Sequence, residues 1–140
     1  MTTTATTADL CRRMTEAAAI LAEYPELPTL RGISVYGTYV SLNGMNTYVD
    51  PWRAAADVAA WAVEFGVTCA ISTSYDGGGN IETAFEERGV AFRMSSHLGT
   101  AHAYELGAEL RQKLDRAKPL TLSGQRLAEV VRKIQAGAAQ

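Results

Sequence analysis

The chain has 140 residues and 47% apolar residues, enough for one domain with one core and too few for two. Charged residues make up 20% and the formal net charge is -2, so neither disorder nor a general attraction to nucleic acid or anionic lipid is expected. Two cysteines, Cys11 and Cys69, make neither a disulfide framework nor a zinc spacing; reduced thiols in a cytoplasmic protein are expected. The start, Met1 followed by a Thr-rich stretch, lacks a signal-peptide pattern, and no apolar run approaches a membrane span.

A first helix is predicted from Thr7 as cap, with Leu10, Met14, Ala17, Ala18 and Leu21 on one face, ending before Pro25 and Pro28. From Arg31, two alternating runs flank Gly37-Thr38, a two-residue loop of the type II′ kind. That turn sets Val35 opposite Val40 and Ile33 opposite Leu42, and pairs Tyr36 with Tyr39 on the other face. Asn43-Gly44 is a competing turn that would pair Tyr39 with Tyr48. Asp50-Pro51 is a strong helix start, and Gly66 a left-handed stop. Ala55, Val58, Ala59, Ala62 and Val63 form its apolar face.

A three-strand meander follows: Val67 to Ser74, then Ile81, Thr83 and Phe85 on one face, then Val90, Phe92 and Met94. Asp76 to Asn80 reads as a flexible hairpin loop. A two-residue turn at Arg88-Gly89 sets Phe85 against Phe92 and sends Glu82, Glu86 and Arg93 to the opposite face. Two helices end the chain. Thr100 is a candidate cap for one carrying Tyr104, Leu106, Leu110 and Leu114. Ser123 is a candidate cap for one carrying Leu127, Val130, Val131 and Ile134. The reading is a single α+β domain over residues 1–140, in the order α-ββ-α-βββ-α-α. A helical arm spans 7–24, a sheet-and-helix core 31–97 and C-terminal helices 100–137. One mainly antiparallel sheet carries helices on one side.

The hairpin, the Ala-rich helix with Trp61-Ala62, Gly66, the Ser/Thr-rich strand and the Gly-rich turn together resemble small hypothetical proteins of actinobacterial genomes and their phages. The similarity runs from about Ile33 to Met94. It implies a fold and a habitat, and no site.

No residue pattern assigns a catalytic residue, a metal ligand or a cofactor. Asp76-Gly77-Gly78-Gly79-Asn80 lacks the lysine and the following helix of a phosphate loop. His97 and His102 are five apart, not at the spacing that shares a helical face. Ser95 and Ser96 beside His97 invite a nucleophile reading that only spatial assembly can support. Glu82, Glu86 and Glu87 read as a charged strand. Residues 111–133 hold Arg111, Lys113, Arg116, Lys118, Arg126, Arg132 and Lys133 against Asp115 and Glu129, a net +5 that leaves -7 elsewhere. The main expectation is a non-catalytic binding or assembly module, an accessory protein of phage or mobile-element kind. A protein partner or self-association would use Tyr36, Tyr39, Leu127, Val130, Val131 and Ile134. The alternatives are nucleic-acid binding by the basic residues, the last two helices then resembling a helix-turn-helix across Pro119, and a small enzyme with a site near His97 and His102.

Overall fold

The computed structural model describes residues 4–45 and 49–138. Helix α1 spans Thr7–Leu21, and its cap is Thr6 rather than Thr7. The Thr6 hydroxyl accepts from the Asp9 amide while the Asp9 carboxylate accepts from the Thr6 amide, a reciprocal pair that satisfies two orphan donors. Its buried residues are Ala17 and Ile20; Met14, expected inside, is half exposed.

Strands β1 (Leu30–Val35) and β2 (Val40–Gly44) form the expected hairpin, with Ile33 opposite Leu42 and Val35 opposite Val40. The Tyr36 amide donates to the Tyr39 carbonyl at 2.9 Å. The connection is not the predicted type II′ turn, because Gly37 does not adopt positive φ. The carbonyls of Tyr36 and Gly37 both accept from the Arg13 guanidinium of α1, a contact from outside the hairpin that a turn read from local sequence does not include. The competing pairing of Tyr39 with Tyr48 lies outside the described residues.

Helix α2 (Pro51–Glu64) begins at the Asp50 cap, whose carboxylate accepts from the Arg53 amide at 3.2 Å. Its Ala-rich face is buried, and so are Trp52 and Trp61. Gly66 closes the helix at φ 65°. The meander is β3 (Thr68–Thr73), β4 (Gly79–Glu87) and β5 (Val90–Leu98). Phe85 stands opposite Phe92 and Thr83 opposite Met94, as expected. Arg88 and Gly89 both take positive φ, the backbone of a type I′ turn, whose twist suits a hairpin. The loop read as flexible is shorter and better tied than expected. Gly79 and Asn80 already pair with β3, and the Asp76 carboxylate accepts from the Gly78 amide and the Ser74 hydroxyl.

Helix α3 (Thr100–Leu110) is capped by Gly99 without a side-chain bond, so Thr100 is its first residue rather than its cap. A strand unforeseen in the sequence, β6 (Leu120–Ser123), follows and pairs antiparallel with β3. Helix α4 (Gly124–Ala138) then starts with the Ser123 hydroxyl accepting from the Arg126 amide. Because β6 stands between α3 and α4, these helices are not a helix-turn-helix.

The sheet order is β1-β2-β5-β4-β3-β6, antiparallel except where β2 runs parallel to β5. Among the described residues, all four helices pack on one face. Ala17, Val58, Leu106 and Leu127 join Leu42, Phe92, Ile81 and Ile71 in one continuous core. On β4 and β5 the other face alternates cleanly to exposed residues, as expected of a one-sided antiparallel sheet.

Candidate binding surfaces

Strand alternation decides which candidates can meet. Ser96 faces the helices and is buried, whereas Ser95 and His97 point to the open face. Ser96 therefore cannot serve His97, and its hydroxyl is buried without a hydrogen-bond partner among the described residues. His97 Nδ1 lies 3.1 Å from Asn80 Oδ1, and its Nε2 lies 3.7 Å from Asp76 Oδ2. His102 instead meets the Trp52 ring edge-on at 5.3 Å between centroids. The two histidines thus serve different neighbours. Among the described residues no group of three or more His, Cys, Asp or Glu is placed to hold a metal.

Asp76 is the most engaged carboxylate of this end of the sheet. The Ser74 hydroxyl at 2.5 Å and the Gly78 amide at 2.9 Å, with His97 nearby, hold its pKa below the usual carboxylate value. Thr100 at the start of α3 donates to the Asp76 carbonyl at 3.3 Å. Ser74 thus donates to the Asp76 carboxylate, and with the Gly78 and Thr100 contacts this ties the β3–β4 loop to the start of α3. Glu82 and Glu86 are exposed on the open face, opposite Ser95 and Ala91.

The open face has a distinct aromatic end. Tyr36 and Tyr39 stack with centroids 5.0 Å apart, and the Arg93 guanidinium lies 4.3 Å from the Tyr39 ring centre. Tyr36 is about half exposed, at 49%. The row beside them runs Ser34, Ser41, Arg93 and Ala84 across four strands, small residues flanking one long cation. The described helices do not cover these tyrosines, because they pack on the opposite face.

The other expected contact residues are placed differently. Leu127, Val130, Val131 and Ile134 are buried against α2 and the sheet, so they are core rather than partner surface. An amphipathic pattern does not say whether its apolar stripe meets a partner or the same chain, and here α2 and β6 supply the cover.

The basic residues divide into two sets. Arg111, Lys113, Arg116 and Lys118 lie on the irregular segment between α3 and β6, not on a helix as expected. Arg116 lies over the exposed Tyr75 ring at 3.9 Å. On α4, Lys133 pairs with Glu109 of α3 at 2.7 Å and Arg126 with Glu129 at 3.9 Å, while Arg132 is exposed. Part of the local positive charge is therefore neutralised within the fold.

A cleft of about 620 Å³ that the sequence did not announce runs along α3. Ala103, Gly107 and Ala108 line it with small side chains, Leu114 packs beside Gly107 as part of the core, and Arg111 and Lys113 stand among its lining. The only signal was the run of small residues at helical spacing, which reads equally as a packing face.

Comparison of the chain with protein-family models, with curated proteins and with solved structures finds no match. Among the described residues no helix is long and apolar enough to cross a membrane.

Proposed function

We propose that this protein is a non-catalytic binding module that docks a protein partner on the open face of its sheet. The observation that carries this reading is the stack of Tyr36, Tyr39 and Arg93 on the face that none of the described helices covers. Tyr and Arg are the residue types that anchor protein interfaces, and small neighbours allow a partner's backbone to approach. An accessory role of phage or mobile-element kind fits the resemblance of residues 33–94. A cytoplasmic setting fits the free thiol of Cys11, which is exposed.

The test is site-specific photo-crosslinking in cell extract, with the photoreactive residue at position 36 or, as a control, at Glu16 on α1. A discrete crosslinked protein is expected from position 36 alone, and Arg93→Ala in the same chain is expected to abolish it. Equal crosslinking from both positions would defeat the reading. Binding of labelled nucleic acid that weakens steeply with salt and is lost on neutralising Arg116, Lys118 and Arg132 would favour the alternative, with phosphates on the 111–133 cations.

A further inference from the structure

The cleft along α3 is a concave site on the helical side of the molecule, separate from the tyrosine face. Its volume of about 620 Å³ falls in the range of small-molecule sites, about 300–1,000 Å³. From Thr100 to Arg111 the helix places a continuous stripe in the cleft, at intervals of three and four residues. At about 1.5 Å per residue this groove is roughly 16 Å long, so its occupant is elongated. Its floor is Ala103, Gly107 and Ala108, flanked by Leu114 and the exposed ring of Tyr104.

Charge is confined to one end. Arg111 and Lys113 line the cleft at the end of α3, and no acidic residue lines it. Neither cation has an ion pair among the described residues, unlike Lys133 and Arg126 on the neighbouring helix. The α3 C-terminus contributes about half a negative charge, which two full positive charges outweigh.

The backbone of Arg111 adds an independent observation. Helix α3 ends with the Arg111 amide donating to the Ala108 carbonyl and the Gln112 amide to the Gly107 carbonyl, a Schellman closure. Arg111 occupies its left-handed position, at φ 55° and ψ 36°, where glycine is usual. The protein has one other non-glycine residue at positive φ among those described, Arg88, and that side chain is held by Glu23 and Glu87. Arg111 has no such partner among the described residues, and its side chain lines the cleft.

We propose that the α3 cleft binds an elongated amphipathic anion, its apolar tail along Ala103, Gly107 and Ala108 and its anionic head on Arg111 and Lys113. This site is independent of the tyrosine face, so either proposal can fail without the other.

The test uses the full chain and three probes, decanoate below its micellar concentration, decanol below its solubility limit, and acetate. Amide NMR titration reports where each binds. Decanoate is expected to give saturable shifts centred on Gly107 and Leu114, with decanol about tenfold weaker and acetate without saturation, since a charge-assisted contact is worth about one decade. Arg111→Gly is expected to fold with an equal or higher thermal midpoint yet bind decanoate several-fold more weakly, with decanol binding unchanged, Lys113 keeping the remaining preference. Ala108→Phe, at an exposed position on the floor, is expected to abolish binding by filling the groove. Equal affinity for decanoate and decanol, no saturable shift, or shifts centred on another surface would each overturn the proposal. Unchanged decanoate binding in Arg111→Gly would do the same.

Discussion

Individual side chains here are governed by which face of a strand or helix they occupy. Cys69 is fully buried on β3, and burial pushes its thiol pKa up to about 11. Cys11 is exposed on α1. A thiol-specific reagent at neutral pH is therefore expected to modify one cysteine rapidly, and the second only on unfolding. Two rapid thiols in the folded protein would contradict the placement of Cys69. Asp76 provides a pH-linked case. Its folded pKa lies below the unfolded value, so its contribution is present above about pH 4 and is lost as pH falls through the folded value. Ser74→Ala removes the leading cause, and carbon NMR titration of the carboxyl is expected to show its pKa rising towards the ordinary carboxylate range. The sequence showed Asp76 as a loop residue; it could not show that Ser74, Gly78 and Thr100 converge on it.

At the scale of elements, local chemistry and packing carry different shares. Asp50-Pro51, Gly66 and Arg88-Gly89 are punctuated by backbone rules that act over a few residues, and α2 and the β4–β5 hairpin formed where those signals stand. The β1–β2 register likewise followed from alternation, while its turn carbonyls also accept from Arg13 of a distant helix. Packing decides Gly124 at the start of α4. A Cβ there would lie 2.7 Å from the Ala59 carbonyl oxygen and 2.9 Å from the Val63 amide nitrogen, both backbone atoms of α2. Alanine gains up to about 1 kcal/mol in helix propensity over glycine, but overpacking against backbone costs about 1–3 kcal/mol. Gly124→Ala is therefore expected to lower stability in chemical denaturation; a stabilised variant would show that α2 and α4 are not so closely apposed. Edge protection follows the same logic of local irregularity. Strand β1 carries a bulge between Leu30 and Gly32, and β6 is short and preceded by Pro119, features that discourage pairing with a second sheet.

At the scale of the whole molecule, one core joins all four helices to the sheet. The C-terminal quarter is part of that core, not an appendage. A chain ending at Lys118 would lose β6 and α4, with Leu127, Val130, Val131 and Ile134, and uncover α2. It is expected to show neither the near-ultraviolet signal nor the cooperative transition of the intact protein. A cooperative fold in that shortened chain would mean that α4 is dispensable. The opposed charges read from the sequence, +5 over residues 111–133 and -7 elsewhere, are partly internal to this fold: Lys133 already meets Glu109.

Taken alone, the sequence determined the α+β class, the order of the helices and of the first five strands, the α2 boundaries and the registers of the β1–β2 and β4–β5 hairpins, because each depends on alternation, capping or turn chemistry over short stretches. It placed Tyr36 with Tyr39 for the same reason. Only the tertiary structure decided that β2 lies parallel beside β5, that β6 extends the sheet along β3, and that the C-terminal apolar stripe is core while Tyr36 stands exposed on the other face of the sheet. Those outcomes depend on pairings between distant segments, which short-range periodicity does not encode. The α3 cleft belongs with them: its volume exists because Leu114 and the β3–β4 loop meet a helix face of small residues, an arrangement no single stretch of the chain contains.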